Sequence, residues 1–304
     1  MKFDKDMIMR SLSRYFIAVL LLLSLAGMAC ADSQRKPFLW QIHSKTATVY
    51  LLGSMHAATL DMYPLPKPMY EAFDRAGFLV VELDINRLDM ATQLDVFQKY
   101  GIYQDGSTLQ QHVSADTWRR LTEYLDSRQL PLLMFQQMRP WLANITITMT
   151  ELTRLGYDMQ LGIDQHFLNR AHGKKPVLEL ETLDEQMAVL SGASDAQQET
   201  DLTLTLGALG DLSSVLKRMQ EYWQRGDAEA LYELMREDAA GYPSLQAQWE
   251  ALLDKRNHRM ADRLKNYLAT DDTYFVVVGA LHIGGENGLL DLLRRADFRV
   301  EQVK

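Results

Sequence analysis

The sequence predicts an α/β fold with a central, mostly buried mixed β-sheet, strands from both chain ends, flanking helices and a large helical middle region. Short runs of β-branched, aromatic and leucine residues lie near both termini, whereas helical periodicity dominates between them. The chain has 304 residues, of which 47% are hydrophobic and 24% are charged. These values are typical of soluble globular proteins with a buried core.

The strands can be placed in chain order. Residues 38–43 and 48–52 flank the polar pair Ser44-Lys45, which predicts a β-hairpin. Residues 78–83 are apolar almost throughout and predict an interior strand buried on both faces. Further strands are expected over residues 176–180, 274–278 and 298–303.

Helices are expected between these strands, mainly over residues 88–192 and 202–268. Ser114 precedes an amphipathic segment and is expected to cap its N-terminus. Asp164 is expected to play the same role for a helix that runs through Arg170. A last helix is predicted over residues 287–295.

Residues 1–31 have the features of a secretory signal peptide, with Lys2, Lys5, Arg10 and Arg14 before a short apolar run and small residues. We expect cleavage after Ala31, which leaves residues 32–304 as a single domain in the periplasm or secreted. The alternative is a lipoprotein in which acylated Cys30 anchors the chain to a membrane, although Gly27 stands where a lipobox usually has leucine.

Cys30 is the only cysteine, so the mature chain is expected to lack disulfides and thiolate metal sites. The full chain has a net charge of −8. The signal segment is net positive, so its removal makes the mature chain more acidic. This charge, and the lack of a basic stripe with aromatic residues, argue against nucleic acid as a partner.

Two Gly-x-x-His segments follow predicted strands and resemble each other. One ends Leu-Gly-Ser-Met-His56, and the other ends Val-Gly-Ala-Leu-His282. Ligands of open α/β sheets collect beyond the carboxyl ends of strands, so we expect both histidines at one sheet edge, pointing into one cleft. Gly53 and Gly279 are expected to give the backbone conformations that other residues avoid.

Glu82 provides a carboxylate at the end of a third strand, where an unpaired buried charge is costly. Two imidazoles and a carboxylate suit a divalent ion such as zinc, manganese or iron. His56, Glu82 and His282 are therefore the predicted ligands of a catalytic metal, with open positions for water.

The motifs resemble those of the TraB/GumN family, in particular its YbaP-like bacterial branch, which is related to the Tiki metalloproteases. The resemblance extends over nearly the whole chain. It rests on both Gly-x-x-His segments and on Tyr63-Pro-Leu-Pro66, Val-Val-Glu82, Arg139-Pro-Trp141, Gly162-Ile-Asp164, Gly173-Lys-Lys-Pro-Val and Leu180-Glu181-Thr182. It implies metal-dependent hydrolysis of peptide bonds, with a peptide or protein as substrate.

Arg139 and Glu181 each have functional and structural interpretations. Arg139 either orients a substrate carboxylate or stabilises an oxyanion, or it begins a helix as a stacked cation. Glu181 is a general base, a partner of the metal ligands or a plain loop carboxylate. Glu185 and Gln186 are expected to lie in the first turn of a helix.

The sequence therefore predicts an exported metal-dependent hydrolase with Glu82, Arg139 and Glu181 as catalytic candidates. The alternative is a non-catalytic periplasmic protein that binds a metal, haem or a signalling peptide in the same pocket. A general base within hydrogen-bond reach of an open ligand position would favour catalysis.

Overall fold

The computed structural model describes residues 36–239 and 248–304, together with Gln246. The predicted signal peptide, including Cys30, lies outside the described residues. No helix in the described part of the chain is both long and apolar enough to cross a membrane.

Six strands form one mixed sheet at the centre of the fold. They are β1 (Leu39–His43), β2 (Thr48–Ser54), β3 (Phe78–Val81), β4 (Val177–Glu179), β5 (Thr273–Gly279) and β6 (Arg299–Gln302). Their order across the sheet is β4-β3-β5-β2-β1-β6. The first four in this order are parallel to one another, while β1 is antiparallel to both β2 and β6. The predicted α/β fold, with a mixed sheet built from both chain ends, is confirmed.

Helices occupy most of the long connection between β3 and β5. In chain order the helices are α1 (Lys67–Arg75), α2 (Met90–Val96), α3 (Ala115–Arg128), α4 (Pro140–Arg154), α5 (Ile163–Ala171), α6 (Leu183–Ser191), α7 (Asp195–Ala208), α8 (Leu212–Gln224), α9 (Ala228–Ala239), α10 (Lys255–Leu268) and α11 (Leu289–Arg295). Ser114 caps α3 as predicted, because its side chain accepts a hydrogen bond from the backbone N–H of Thr117.

The two Gly-x-x-His strands lie side by side in the sheet. Strands β2 and β5 pair in parallel from Thr48 opposite Thr273 to Ser54 opposite Gly279. Because β5 is one residue longer before its glycine, Gly53 lies opposite Val278 rather than opposite Gly279. The two similar Gly-x-x-His segments therefore follow neighbouring strands, and their glycines are offset by one position.

The predicted reason for the two glycines is wrong. Neither Gly53 nor Gly279 has a positive φ, and Gly279 has φ −52° and ψ 139°, which other residues adopt freely. Close packing is the reason instead. A Cβ atom on Gly53 would overlap the Phe38 ring, and one on Gly279 would lie 3.2 Å from Nε2 of His56. The glycines leave room for neighbouring side chains.

Candidate active site

Three predicted site residues meet at one edge of the sheet. His56 follows β2, Glu82 follows β3 directly, and His282 lies in the 3-10 turn Ala280–His282 after β5. Because these strands are parallel, their carboxyl ends meet at the same edge. All three side chains line one cavity of about 230 Å³. The two histidines thus face one cleft.

The backbone of Gly279 lies where these three side chains converge. A Cβ atom at this position would come 3.2 Å from Nε2 of His56 and 3.4 Å from Oε1 of Glu82. It would also lie 3.5 Å from Cδ2 of His282. A side chain at position 279 would therefore crowd His56 and contact Glu82 and His282.

His282 is buried and held in one tautomer by Asn257. The side-chain amide of Asn257 donates from Nδ2 to the carbonyl of Asn287 at 2.8 Å, so Oδ1 of Asn257 faces the histidine. His282 then donates from Nδ1 to this oxygen at 2.6 Å. Burial lowers the pKa of His282 to about 3, with Arg256 and His56 adding to the effect and Glu82 opposing it. The ring is neutral, and its Nε2 lone pair faces the cavity.

His56 is oriented by a carboxylate from α5. Its Nδ1 lies 3.3 Å from Oδ1 of Asp164, which also accepts a hydrogen bond of 2.8 Å from the Ser54 hydroxyl. Burial would lower the pKa of His56, but the Asp164 charge and hydrogen bond outweigh it and raise the pKa to about 9. In the metal-free protein His56 is therefore cationic at neutral pH.

Asp164 does not cap α5, contrary to the sequence prediction. Gly162 occupies the N-cap position without a side-chain hydrogen bond, and Asp164 lies in the first helical turn. Its backbone N–H and its carboxylate both bond to Ser54, at the end of β2. The carboxylate therefore serves the site, because it fixes the ring of His56.

Glu82 is buried and ionised. Burial would raise its pKa, but the Arg256 guanidinium, both histidines and the Gly279 N–H lower it to about 2. Gly279 donates to Oε1 of Glu82 at 2.6 Å, and Arg256 donates to Oε2 at 2.6 Å. Nε2 of His282 lies 3.7 Å from Oε1 of Glu82. A lone pair and a carboxylate oxygen thus face each other, and a shared proton or a cation would stabilise this pair.

Arg256 of α10 is a site residue that the sequence reasoning missed. It bridges Glu82 and Glu181, with distances of 2.5 to 3.0 Å to the oxygens of Glu181. Burial opposes its charge, but the two carboxylates raise the pKa of Arg256 further above its ordinary value. Nothing in the sequence singles it out, because the surrounding segment, Asp254-Lys-Arg-Asn-His-Arg259, has the composition of a solvated helix face.

Glu181 lies behind Arg256 and does not line the cavity. Its carboxylate also accepts a hydrogen bond of 3.3 Å from Gln186, which does line the cavity. Of its predicted roles, the geometry matches that of a partner to the central residues. Glu185 forms a capping box with Thr182 at the start of α6, in the first turn as predicted.

Arg139 lies away from this cavity. It precedes α4 as the N-cap residue, and its guanidinium carbon lies 5.1 Å from the centre of the Tyr103 ring. This position matches the interpretation of Arg139 as a helix start with a stacked cation. The structure does not bring Arg139 together with His56, Glu82 and His282.

The donor set has the right chemistry for a divalent ion, but its arrangement is that of a hydrogen-bonded cluster. Within residues 36–239 and 248–304, no group of three or more histidine, cysteine or acidic side chains is placed to hold a metal ion. Arg256 and Gly279 already bond to both oxygens of Glu82. A metal would therefore compete with Arg256 for this carboxylate.

Comparisons with known proteins agree with the motif resemblance. The model of the TraB/PrgY/gumN family matches residues 38–302. The uncharacterized protein YbaP of Escherichia coli (strain K12) is 25% identical over 248 residues, which cover 81% of this chain and 87% of that protein. YbaP of Shigella flexneri gives the same values. An uncharacterized protein of Treponema pallidum (strain Nichols) is 21% identical over 295 residues, with 92% and 87% covered. No solved structure gives a significant match.

Proposed function

The chain belongs to the TraB/PrgY/gumN family, and from this membership and the geometry around Gly279 we propose that it is an exported metal-dependent hydrolase that cleaves peptide bonds. His56, Glu82 and His282 are the proposed ligands of the divalent ion. Zinc, manganese and iron all suit two imidazoles and a carboxylate. The substrate is a peptide or a protein.

The facing pair of His282 and Glu82 carries the proposal. Nε2 of His282 and Oε1 of Glu82 are 3.7 Å apart, and both bear lone pairs. Each histidine has an oxygen acceptor at Nδ1, namely Asn257 for His282 and Asp164 for His56. Histidine ligands of metals are held in this way, with Nδ1 bonded to an outer partner and Nε2 left for the metal.

Held by His56, Glu82 and His282, a divalent ion would supply a Lewis acid that polarises a carbonyl oxygen and lowers the pKa of water. The chain's own residues prepare the site for it. Glu82 stays ionised at neutral pH because its pKa is about 2. His282 is already neutral, whereas His56 must release its proton before it can bind a metal.

Arg256 and Glu181 hold Glu82 in place. The guanidinium lies between the two carboxylates and is itself about 9% exposed at its side chain. Its fork of hydrogen bonds fixes the orientation of the Glu82 carboxylate and offsets its charge. In this role Arg256 is a positioning residue, and Glu181 is its buried counter-ion.

A second candidate function is supported by the same carboxylate. Both oxygens of Glu82 already accept hydrogen bonds, from Gly279 and from Arg256. A Glu82 carboxylate that keeps these bonds is a weak base, because its pKa is about 2. This observation favours the alternative of a non-catalytic protein that binds a metal, haem or a signalling peptide.

The proposed location is the periplasm or the extracellular space. It rests on the basic residues, apolar run and small residues of segment 1–31, with cleavage after Ala31. Acylation of Cys30, and membrane association through it, is the alternative form of the same export. N-terminal sequencing of the purified protein distinguishes a chain that begins at Asp32 from one that begins at a modified Cys30.

Peptide hydrolysis tests the proposed activity. The purified protein is incubated with a peptide mixture and zinc, manganese or ferrous ions, and new termini are identified by mass spectrometry. We expect peptide cleavage that is abolished by chelation and by Glu82→Gln. The control His258→Ala alters an exposed residue outside the cavity and is expected to retain cleavage. Cleavage that survives Glu82→Gln contradicts the proposed centre. Peptide or metal binding without cleavage favours the second function.

A further inference from the structure

The cavity is lined mostly by apolar residues, although several charged residues also line it. The strand residues Val81 and Val277 line the cavity together with six polar residues: His56, Glu82, Asp164, Gln186, Arg256 and His282. The remaining lining residues are all apolar: Leu83, Ile85, Met159, Val189, Leu190 and Leu252. Ile85 and Met159 are each 42% exposed.

Charged groups in the cavity already have partners. Among the described residues that line it, Glu82 is paired with Arg256 and His56 is paired with Asp164. In the metal-free protein, a charged side chain of a substrate would lose its hydration here without gaining a free counter-ion. An apolar side chain would instead cover wall residues that are partly exposed.

The volume of the cavity limits what enters it. About 230 Å³ is available, which is less than the roughly 300–1,000 Å³ of pockets that enclose drug-sized ligands. The cavity therefore holds one side chain and an adjoining peptide group rather than a whole ligand. The rest of a larger substrate must lie outside its mouth.

We propose that this cavity is a specificity pocket for a single large aliphatic side chain, such as leucine, of an extended peptide whose backbone lies over His56, Glu82 and His282. This inference rests on the proposed function, because it assigns the substrate class of the same site. Met159 and Ile85 contact the aliphatic side chain at the mouth of the cavity, and Leu190 and Leu252 contact it inside.

Binding of labelled peptides tests the pocket without requiring turnover. The probes are fluorescein-labelled octapeptides of glycine and serine with a central leucine, glycine, lysine or glutamate, and affinity is measured by fluorescence anisotropy. We expect the leucine peptide to bind at least about tenfold more tightly than the glycine peptide, because an aliphatic side chain becomes buried. The lysine and glutamate peptides are expected to bind no more tightly than the glycine peptide.

Two matched variants locate the effect. Met159→Lys places a charge at the mouth of the cavity and is expected to reduce the leucine preference below about threefold. Met134→Lys alters a methionine that is 58% exposed and lies outside the cavity, so it is expected to leave the preference unchanged. Equal loss in both variants would overturn the assignment.

The outcomes separate this inference from the proposed function. Leucine-selective binding without cleavage under any metal supply would contradict the hydrolase and support the pocket. Cleavage that does not discriminate leucine from lysine would support the hydrolase and overturn the pocket. Decanoate that displaces the leucine peptide and binds more tightly than it would overturn the peptide assignment in favour of an acyl chain.

Discussion

Arg256 donates a hydrogen bond of 2.6 Å to Glu82, and the side chains of both residues are about 9% exposed. The pair connects α10, late in the chain, to the end of β3. It lies at the edge of the sheet where both histidines are found. Buried charges of this kind are costly unless they are paired and hydrogen-bonded. The orientation and charge of Glu82 therefore depend on α10, a helix that contributes no predicted metal ligand.

Arg256→Met is expected to destabilise the protein by about 3–5 kcal/mol, because it leaves two buried carboxylates without their cation. Urea unfolding measures this loss. Arg263→Met is the matched control, since Arg263 lies on the same helix and is 3.3 Å from Glu185, with both side chains about one-third exposed, and such pairs contribute about 0–1 kcal/mol. Equal losses in the two variants would show that the buried pair has no special part in the fold.

Protonation of His56 predicts a pH dependence of stability in the metal-free protein. The folded-state pKa of about 9 is above the ordinary value of 6.5. The contribution to the free energy of unfolding is therefore fully present below pH 6.5 and is lost as the pH rises through 9. Asp164→Asn should lower the pKa of His56 and flatten this decline.

NMR titration of the His56 ring measures its pKa directly, and urea unfolding between pH 6 and 10 measures the linked stability. Asp262→Asn is the control, because Asp262 is 75% exposed. Within the described part of the chain, its one ion-pair partner is Lys265. An unchanged His56 titration in Asp164→Asn would contradict the assigned pair.

Loss of the Asn257 amide should weaken metal binding. Asn257→Ala removes the acceptor that holds Nδ1 of His282, so the ring no longer keeps its Nε2 lone pair towards Glu82. We expect the affinity for zinc to fall by about ten- to hundredfold, as is usual for outer partners of histidine ligands. Calorimetric titration gives the affinity. Asn266→Ala, at an exposed position of the same helix, should bind zinc as the wild type does.

A methyl group at position 279 should disturb the site while the fold persists. In Gly279→Ala the new Cβ atom would lie 3.2 Å from Nε2 of His56, which is closer than ordinary contact. We expect zinc affinity to fall by at least about tenfold through displaced ligands. The control is Gly210→Ala, where no heavy atom lies within 4 Å of the new Cβ. Wild-type affinity in Gly279→Ala would mean that the donors do not converge there.

Local sequence patterns were enough to predict the sheet and to place His56, Glu82 and His282 together at one edge of it. The apolar runs gave the strands, and the repeated Gly-x-x-His identified β2 and β5 as equivalent strand ends. Glu82 stood out because a carboxylate inside an apolar run requires a partner. These signals are visible in short stretches of the chain.

The partners of the site could not be predicted in the same way. Arg256 reaches Glu82 across 174 positions of sequence, and its own segment has the composition of a surface helix. Local capping rules predict Asp164 as a helix N-cap, because they take no account of Ser54 on a distant strand. Tertiary contacts of single polar atoms determine these roles. Such contacts leave no periodic pattern in the sequence.

Metal titration of the purified protein distinguishes a metal centre at His56, Glu82 and His282 from a cluster held by hydrogen bonds alone. Zinc, manganese and ferrous ions are titrated into the wild type, into the His56→Ala, His282→Ala double variant and into a His172→Ala, His258→Ala control, whose two histidines are exposed outside the cavity. We expect one bound ion per chain in the wild type and the control, and none in the first double variant. Equal binding in all three proteins, or no specific binding in any of them, would contradict a metal centre at His56, Glu82 and His282.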